Sequence, residues 1–155
     1  TMIKIVAVGK IKSNSLNALI NGYLKKISAY HKIELIEVKD EAIVANDSNE
    51  TILDKEATRV LKQIKDDEYV IVLDLHGEMI SSEELANKMD KLFASYSKIT
   101  FVIGGSLGLG KDIIKRSNYR LKLSPMTFLH SMTRLIILEQ IYRSFKINNH
   151  ETYHK

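Results

Sequence analysis

The sequence contains no cysteine, and its 155 residues include one proline, Pro125, and seven glycines. Without thiols, disulfides and thiolate metal sites are excluded. No stretch has the composition of a linker, and no segment repeats. No apolar run approaches the roughly 18 residues that a membrane span needs. The start, TMIKIVAVGK, lacks the basic flank and long apolar centre of a signal peptide. Neither H-E-x-x-H nor any other metal-ligand spacing occurs. No metal and no membrane are therefore expected, and a cytoplasmic location follows by default. What remains is ordinary globular material, 45% hydrophobic and 27% charged. Its length suits one domain over residues 1–155.

Charge is distributed unevenly. Residues 1–100 hold 14 Lys/Arg and 16 Asp/Glu, a balance of −2, and residues 101–155 hold 9 and 3, a balance of +6. A basic half suits a polyanion such as nucleic acid, although a basic surface also serves solubility.

Hydrophobic periodicity predicts alternating strands and helices. MIKIVAV (2–8), IELIEV (33–38), YVIVLDL (69–75), ITFVI (99–103) and YRLKL (119–123) read as strands. Helical spacing links Leu16, Leu19, Ile20, Tyr23, Ile27 and Tyr30, with Ser13 or Ser15 as N-cap. It recurs in Ile52, Ala57, Val60, Leu61 and Ile64, and in Leu85, Met89, Leu92 and Phe93 behind a Ser81–Glu84 capping box. A short helix near 111–117 and a long one near 130–147 complete the set, and 40–49 is a polar loop. This order predicts an α/β fold, a parallel sheet with helices on both faces. Ligands on such sheets bind beyond the carboxyl ends of the strands. That rule points to 74–77, 104–110 and 123–128.

The segment FVIGGSLGLGKDI (101–113) carries G-x-x-x-x-G-K from Gly105 to Lys111. A phosphate-binding P-loop needs a following Ser or Thr hydroxyl for magnesium, and here Asp112 follows. Only one strand comes after it, so an NTPase is disfavoured. Gly104, Gly105, Gly108 and Gly110 either shape a strand-to-helix turn or bring backbone close to a ligand. A flat, uncharged, adenosine-like ligand suits such a wall better than a triphosphate.

In the last helix, Leu135, Ile136, Ile137 and Leu138 are consecutive, so more than one helix face is apolar and is expected to be covered. Arg134, Glu139, Gln140 and Arg143 form a polar row. Of five histidines, His130, His150 and His154 lie in the last 26 residues. The tail HETYHK has no apolar periodicity and is expected not to bury itself.

MIKIVAVGKIK, FVIGGSLGL, MTFLHSMTRLIILEQIYRSFKI and the terminal YHK together resemble the bacterial ribosomal large-subunit pseudouridine N3-methyltransferase family (methyltransferase H) of the SPOUT superfamily. The resemblance covers nearly the whole chain and is weakest across 40–60. It implies a single SPOUT-type methyltransferase domain, a C-terminal trefoil knot, a homodimer, S-adenosylmethionine as methyl donor, and ribosomal RNA in the large subunit or assembled ribosome as partner. The implied donor pocket maps onto Leu73, Gly104, Leu123, Ser124, Pro125, Met126, Thr127 and Phe128. The implied catalytic group is His154 as general base, Tyr153 stacking on or orienting the pyrimidine, and Arg143 binding phosphate or the developing uracil anion. Arg143 has an alternative partner in Glu139 at i, i+4. Two positions depart from the family pattern: Leu129 stands for a usual proline, and Ser131 for a usual glutamine. The competing readings are a non-catalytic RNA-binding or ribosome-associated module and an NTPase.

Overall fold

The structure is a computed structural model and describes residues 2–155. Its elements alternate as β1 (Met2–Val8), α1 (Asn14–Ser28), β2 (Lys32–Val38), α2 (Asn49–Leu61), β3 (Tyr69–Glu78), α3 (Ser82–Ser95), β4 (Lys98–Ile103), α4 (Lys111–Arg116), β5 (Tyr119–Leu121) and α5 (His130–Asn148). The five strands are all parallel, in the order β2-β1-β4-β3-β5.

Both faces of this sheet are covered, which explains why its strands read as continuous apolar runs. Ile3, Ile5, Phe101 and Ile71 face one core, together with Ile20 and Ile27 of α1, Leu85 and Met89 of α3, and Ile137 and Ile141 of α5. Val6, Val8, Val70, Val72 and Val102 face the other, with Ala57 and Val60 of α2 and Ile113 of α4.

Local chemistry starts the helices. The hydroxyls of Ser13, Ser48 and Ser81 accept from the backbone N–H three residues on, at 3.2, 3.1 and 3.1 Å. Glu84 answers at the third of these, accepting from the Ser81 N–H to complete the capping box. Because Ser48 caps, α2 begins at Asn49, earlier than its apolar spacing suggests.

One polar cluster crosses the second core. Lys4 of β1 and Glu68 pair at 2.7 Å with almost no exposure. Thr100 donates to Glu68 at 2.5 Å, the Lys65 N–H donates at 2.6 Å, and Lys4 also donates to the Gln63 carbonyl. Burial alone would raise the Glu68 pKa. The hydrogen bonds from Lys4 and Thr100 outweigh it and hold that carboxyl below its ordinary value.

Two strand ends differ from the sequence expectation. β3 continues to Glu78, and β5 stops at Leu121. Leu73 and Glu78 both pair with Leu121, so residues 74–77 bulge out of the ladder. This bulge and the truncated β5 open space at the carboxyl edge of the sheet. No helix among the described residues is long and apolar enough to cross a membrane.

Candidate functional site

The space lies where the topology places it, beyond the ends of β3, β4 and β5. It is a cleft of about 530 Å³ lined by residues 73–75, 103–109, 121–124, 126–130 and 133. Its β4 wall is bare backbone. A Cβ on Gly104 would lie 2.3 Å from the Gly108 carbonyl oxygen, so no other residue fits there. Gly108 sits at φ +90°, in the left-handed region that favours glycine, and its N–H donates to the Gly105 carbonyl at 3.0 Å.

This turn does not aim a cation at the cleft. Lys111, the residue a P-loop would use, pairs with Asp54 at 2.7 Å and Glu50 at 3.4 Å. Asp74 at the opposite wall is also engaged. Its Oδ2 accepts from Arg120 Nε at 2.6 Å and its Oδ1 from the His76 N–H at 3.0 Å. The remaining cationic side chain on the lining is Lys122, which has no carboxylate within ion-pair range among the described residues. The cleft thus offers leucine side chains, backbone polar groups, hydroxyls such as those of Ser106, Thr127 and Thr133, and one lysine, Lys122, without a carboxylate partner among the described residues. That donor set suits an uncharged ring system carrying a single anionic group, and it does not suit a polyphosphate.

Seven of the eight pocket residues expected from the sequence line the cleft: Leu73, Gly104, Leu123, Ser124, Met126, Thr127 and Phe128. Pro125, exposed between Ser124 and Met126, does not line it. The Ser124 hydroxyl accepts from the Met126 N–H at 3.0 Å and so shapes the turn itself. Asp74, in the 74–77 stretch that the strand-end rule singles out, also lines the cleft, whereas Lys122 and Thr133 line it and were missed, since nothing in their spacing separates them from surface polar residues. Leu129 has φ −56°, within the range that a proline at this position would adopt. The apolar rim is open, with Met126 74% and Leu129 66% exposed.

The second group expected from the sequence is also assembled, by the tail. His150 adopts φ +57°. Its N–H donates to the Ile147 carbonyl and the Glu151 N–H to the Lys146 carbonyl, a Schellman ending for α5. The chain reverses there and returns along the helix. Contrary to expectation, the tail packs. The Tyr153 ring meets Tyr142 edge-on at 5.1 Å, and its hydroxyl donates to Glu139 Oε1 at 3.2 Å. Burial first, and then Tyr23 and Glu139, push the Tyr153 phenol up, so it remains a donor.

Arg143 does pair with Glu139, its Nη2 and Nε reaching Oε1 at 2.5 and 3.0 Å. It keeps a further contact to the tail, Nη1 lying 3.0 Å from His154 Nδ1. His154 Nε2 lies 2.6 Å from Glu83 Oε1, in the first turn of α3. Arg134, placed in the same polar row by sequence, is instead buried, bound to Glu37 and the Gly9 carbonyl. The tail group and the cleft share no residue. Among the described residues, no group of three or more His, Asp or Glu is placed to hold a metal.

Parallel strands covered on both faces, with a glycine-walled cleft at their carboxyl ends, define an α/β protein with a ligand-sized cleft at its sheet edge. Two solved structures share the fold. One is a probable methylase family protein from Haemophilus influenzae, with TM-score 0.54 and 19% identity over 99% of this chain and 70% of that one. The other is the tRNA (m1G37) methyltransferase from Aquifex aeolicus, with TM-score 0.56 and 11% identity over 92% and 70%. The family model described as "Predicted SPOUT methyltransferase" matches residues 1–154. Relatives named ribosomal RNA large subunit methyltransferase H are 50% identical in Acetivibrio thermocellus and 48% in Alkaliphilus oremlandii, each over 99% of both chains. The chain belongs to the SPOUT methyltransferase family, whose members generally use S-adenosylmethionine.

Proposed function

We propose that this chain, as a single cytoplasmic domain, methylates N3 of a pseudouridine in large-subunit ribosomal RNA, with S-adenosylmethionine as donor. The observation that carries the reading is end-to-end identity of about half with relatives named for large-subunit ribosomal RNA methylation. The cleft supports it, because its bare backbone wall and single free ammonium match a nucleoside joined to an amino acid. The position on the base, the trefoil knot and a homodimer come with the family resemblance and are part of the proposal.

When bound, the donor supplies a methyl group activated on a sulfonium. The backbone of 104–108 and of 123–128 would hold the adenosine, with Leu73, Leu123 and Phe128 against its flat faces. Lys122 would neutralise the amino-acid carboxylate. The tail group supplies the rest: His154 takes the N3 proton, Tyr153 orients the pyrimidine, and Arg143 balances the charge left on it. A general base adds on the order of 10²- to 10⁴-fold, and alignment several kcal/mol more. Because tail group and cleft share no residue, a second copy that sets its tail over this cleft would complete one site from two chains. The open apolar rim would then lie in the interface.

Two measurements test the reading. Calorimetry should show binding of S-adenosylhomocysteine and none of Mg-ATP. Ribosomes from a deletion strain should acquire one methyl group on a pseudouridine when treated with the protein and donor, as read by nucleoside mass spectrometry. Tight ATP binding that is lost on Lys111→Ala, or methylation elsewhere in the RNA, would overturn it.

A further inference from the structure

Glu83 has no part in the reading above, yet it makes the shortest contact to His154. Its Oε1 lies 2.6 Å from His154 Nε2. The other ring nitrogen, Nδ1, lies 3.0 Å from Arg143 Nη1. A guanidinium has only donors and keeps its proton throughout the accessible pH range. Nδ1 at that distance must therefore accept, which leaves it no proton of its own. The ring proton then resides on Nε2 and is donated to Glu83, whose ionised carboxylate can only accept. The hydrogen bond from His154 holds the Glu83 carboxyl below its ordinary value. Two neighbours thus select one tautomer and one ring orientation, and each acts on a different nitrogen.

The partners are themselves fixed. Arg143 is held from its other edge by Glu139 Oε1, at 2.5 and 3.0 Å, and Glu139 also receives the Tyr153 hydroxyl. Glu83 lies in the first turn of α3, behind the Ser81–Glu84 capping box, so its backbone does not drift. The chain Glu83, His154, Arg143, Glu139, Tyr153 alternates acceptors and donors without a mismatch.

We propose that Glu83 is the positioning residue of His154. It fixes the Nε2–H tautomer, so that Nδ1 bears the ring's only lone pair and is the atom that receives the substrate proton. This rests on the reading of His154 as the base. In the arrangement seen, Arg143 covers that lone pair. An anion of the RNA, phosphate or ionised pyrimidine, competes for the same guanidinium. Drawing Arg143 toward the substrate uncovers Nδ1, and base activity is thereby tied to substrate arrival.

The test uses the full chain with nitrogen-15-labelled histidine. Two-bond nitrogen–proton spectra at neutral pH should give His154 a protonated Nε2 and an unprotonated Nδ1. Glu83→Ala removes the anchor that holds the ring against Arg143, so the ring turns free and that pattern should collapse toward an average of both tautomers, whereas Glu83→Gln, which keeps an acceptor oxygen, should retain it. On ribosomes, kcat should fall in Glu83→Ala by about 10-fold or more, within the roughly 10²- to 10⁴-fold ceiling set by losing the base itself. KM should change little, and Glu83→Gln should restore most of the rate. A proton on Nδ1 in the wild type, or unchanged ring shifts in Glu83→Ala, would overturn the assignment. Full activity of His154→Ala would remove the catalytic reading instead, and the spectra would still decide what Glu83 does to the ring.

Discussion

Lys122 shows how little a residue's chemistry depends on its type alone. In sequence it is one of nine cations in the basic segment 101–155. In the structure Lys111, Arg120, Arg134, Arg143 and Lys146 are each paired with a carboxylate, while Lys122 lies against the cleft unpaired. Lys122→Ala should therefore weaken S-adenosylhomocysteine by about 10-fold, near the 1.4 kcal/mol of one modest charged contact. It should leave 5′-methylthioadenosine, which lacks the carboxylate, unaffected. Calorimetry with both ligands reads the difference, and equal losses would remove the carboxylate role. A second residue-level expectation concerns Lys4 and Glu68. The folded-state pKa of Glu68 lies below its ordinary 4.5, so the stability it contributes is present above that value and is lost as pH falls through the folded pKa. Lys4→Met strands a buried carboxylate and should cost about 3–5 kcal/mol at neutral pH. The gap to wild type should narrow in acid, where Glu68 of the variant is protonated. Urea unfolding at neutral pH and near pH 4 measures both, and a gap that widens in acid would contradict the assignment. Neither role was legible beforehand. Lys4 stands in an apolar strand as if facing water, and Glu68 stands in a polar turn.

At the level of elements, the sequence was informative wherever a rule is local. The starts of the strand runs, the Ser13 cap and the Ser81–Glu84 capping box appear within a residue of where spacing puts them, because each depends on neighbours a few positions away. What failed depends on distant partners. The bulge at 74–77 exists because β3 must meet β5 twice at Leu121, and no pattern inside YVIVLDL records that. The end of α5 falls within a residue of its expected place, but the turn behind it was hidden for another reason: a Schellman ending normally announces itself with glycine, and here His150 occupies the left-handed position. That backbone disfavours a side chain by roughly 1–2 kcal/mol. His150→Gly should recover about 1 kcal/mol and raise the melting temperature by about 2–4 °C. Calorimetric melting checks this, and a lower melting temperature would mean that the His150 side chain holds the turn through contacts of its own.

The whole molecule presents a cleft with an open apolar rim and, apart from it, a tail group that shares no residue with it. Deleting residues 150–155 removes the Tyr153–Tyr142 contact, worth about 0.5–1.5 kcal/mol. The fold should survive that loss, and affinity for S-adenosylhomocysteine should not change. Methylation of ribosomes should fall by about 10²-fold or more. Mixing the truncated chain with a chain carrying a blocked cleft should restore activity if sites form between copies, and full activity of the truncated chain alone would dismiss the tail. The strand order carries a different consequence, one of timing. β1 lies inside the sheet between β2 and β4, yet β4 begins 90 residues after β1 ends (98 − 8). At a synthesis rate of roughly 5–20 residues per second, the ribosome delivers that partner about 5–20 seconds later. Until then MIKIVAV pairs only with β2, and its other edge is open to any strand that meets it. Every nascent chain that stops before Lys98 therefore carries a half-paired central strand, and the newborn protein is most exposed to misassembly while its own ribosome is still making it.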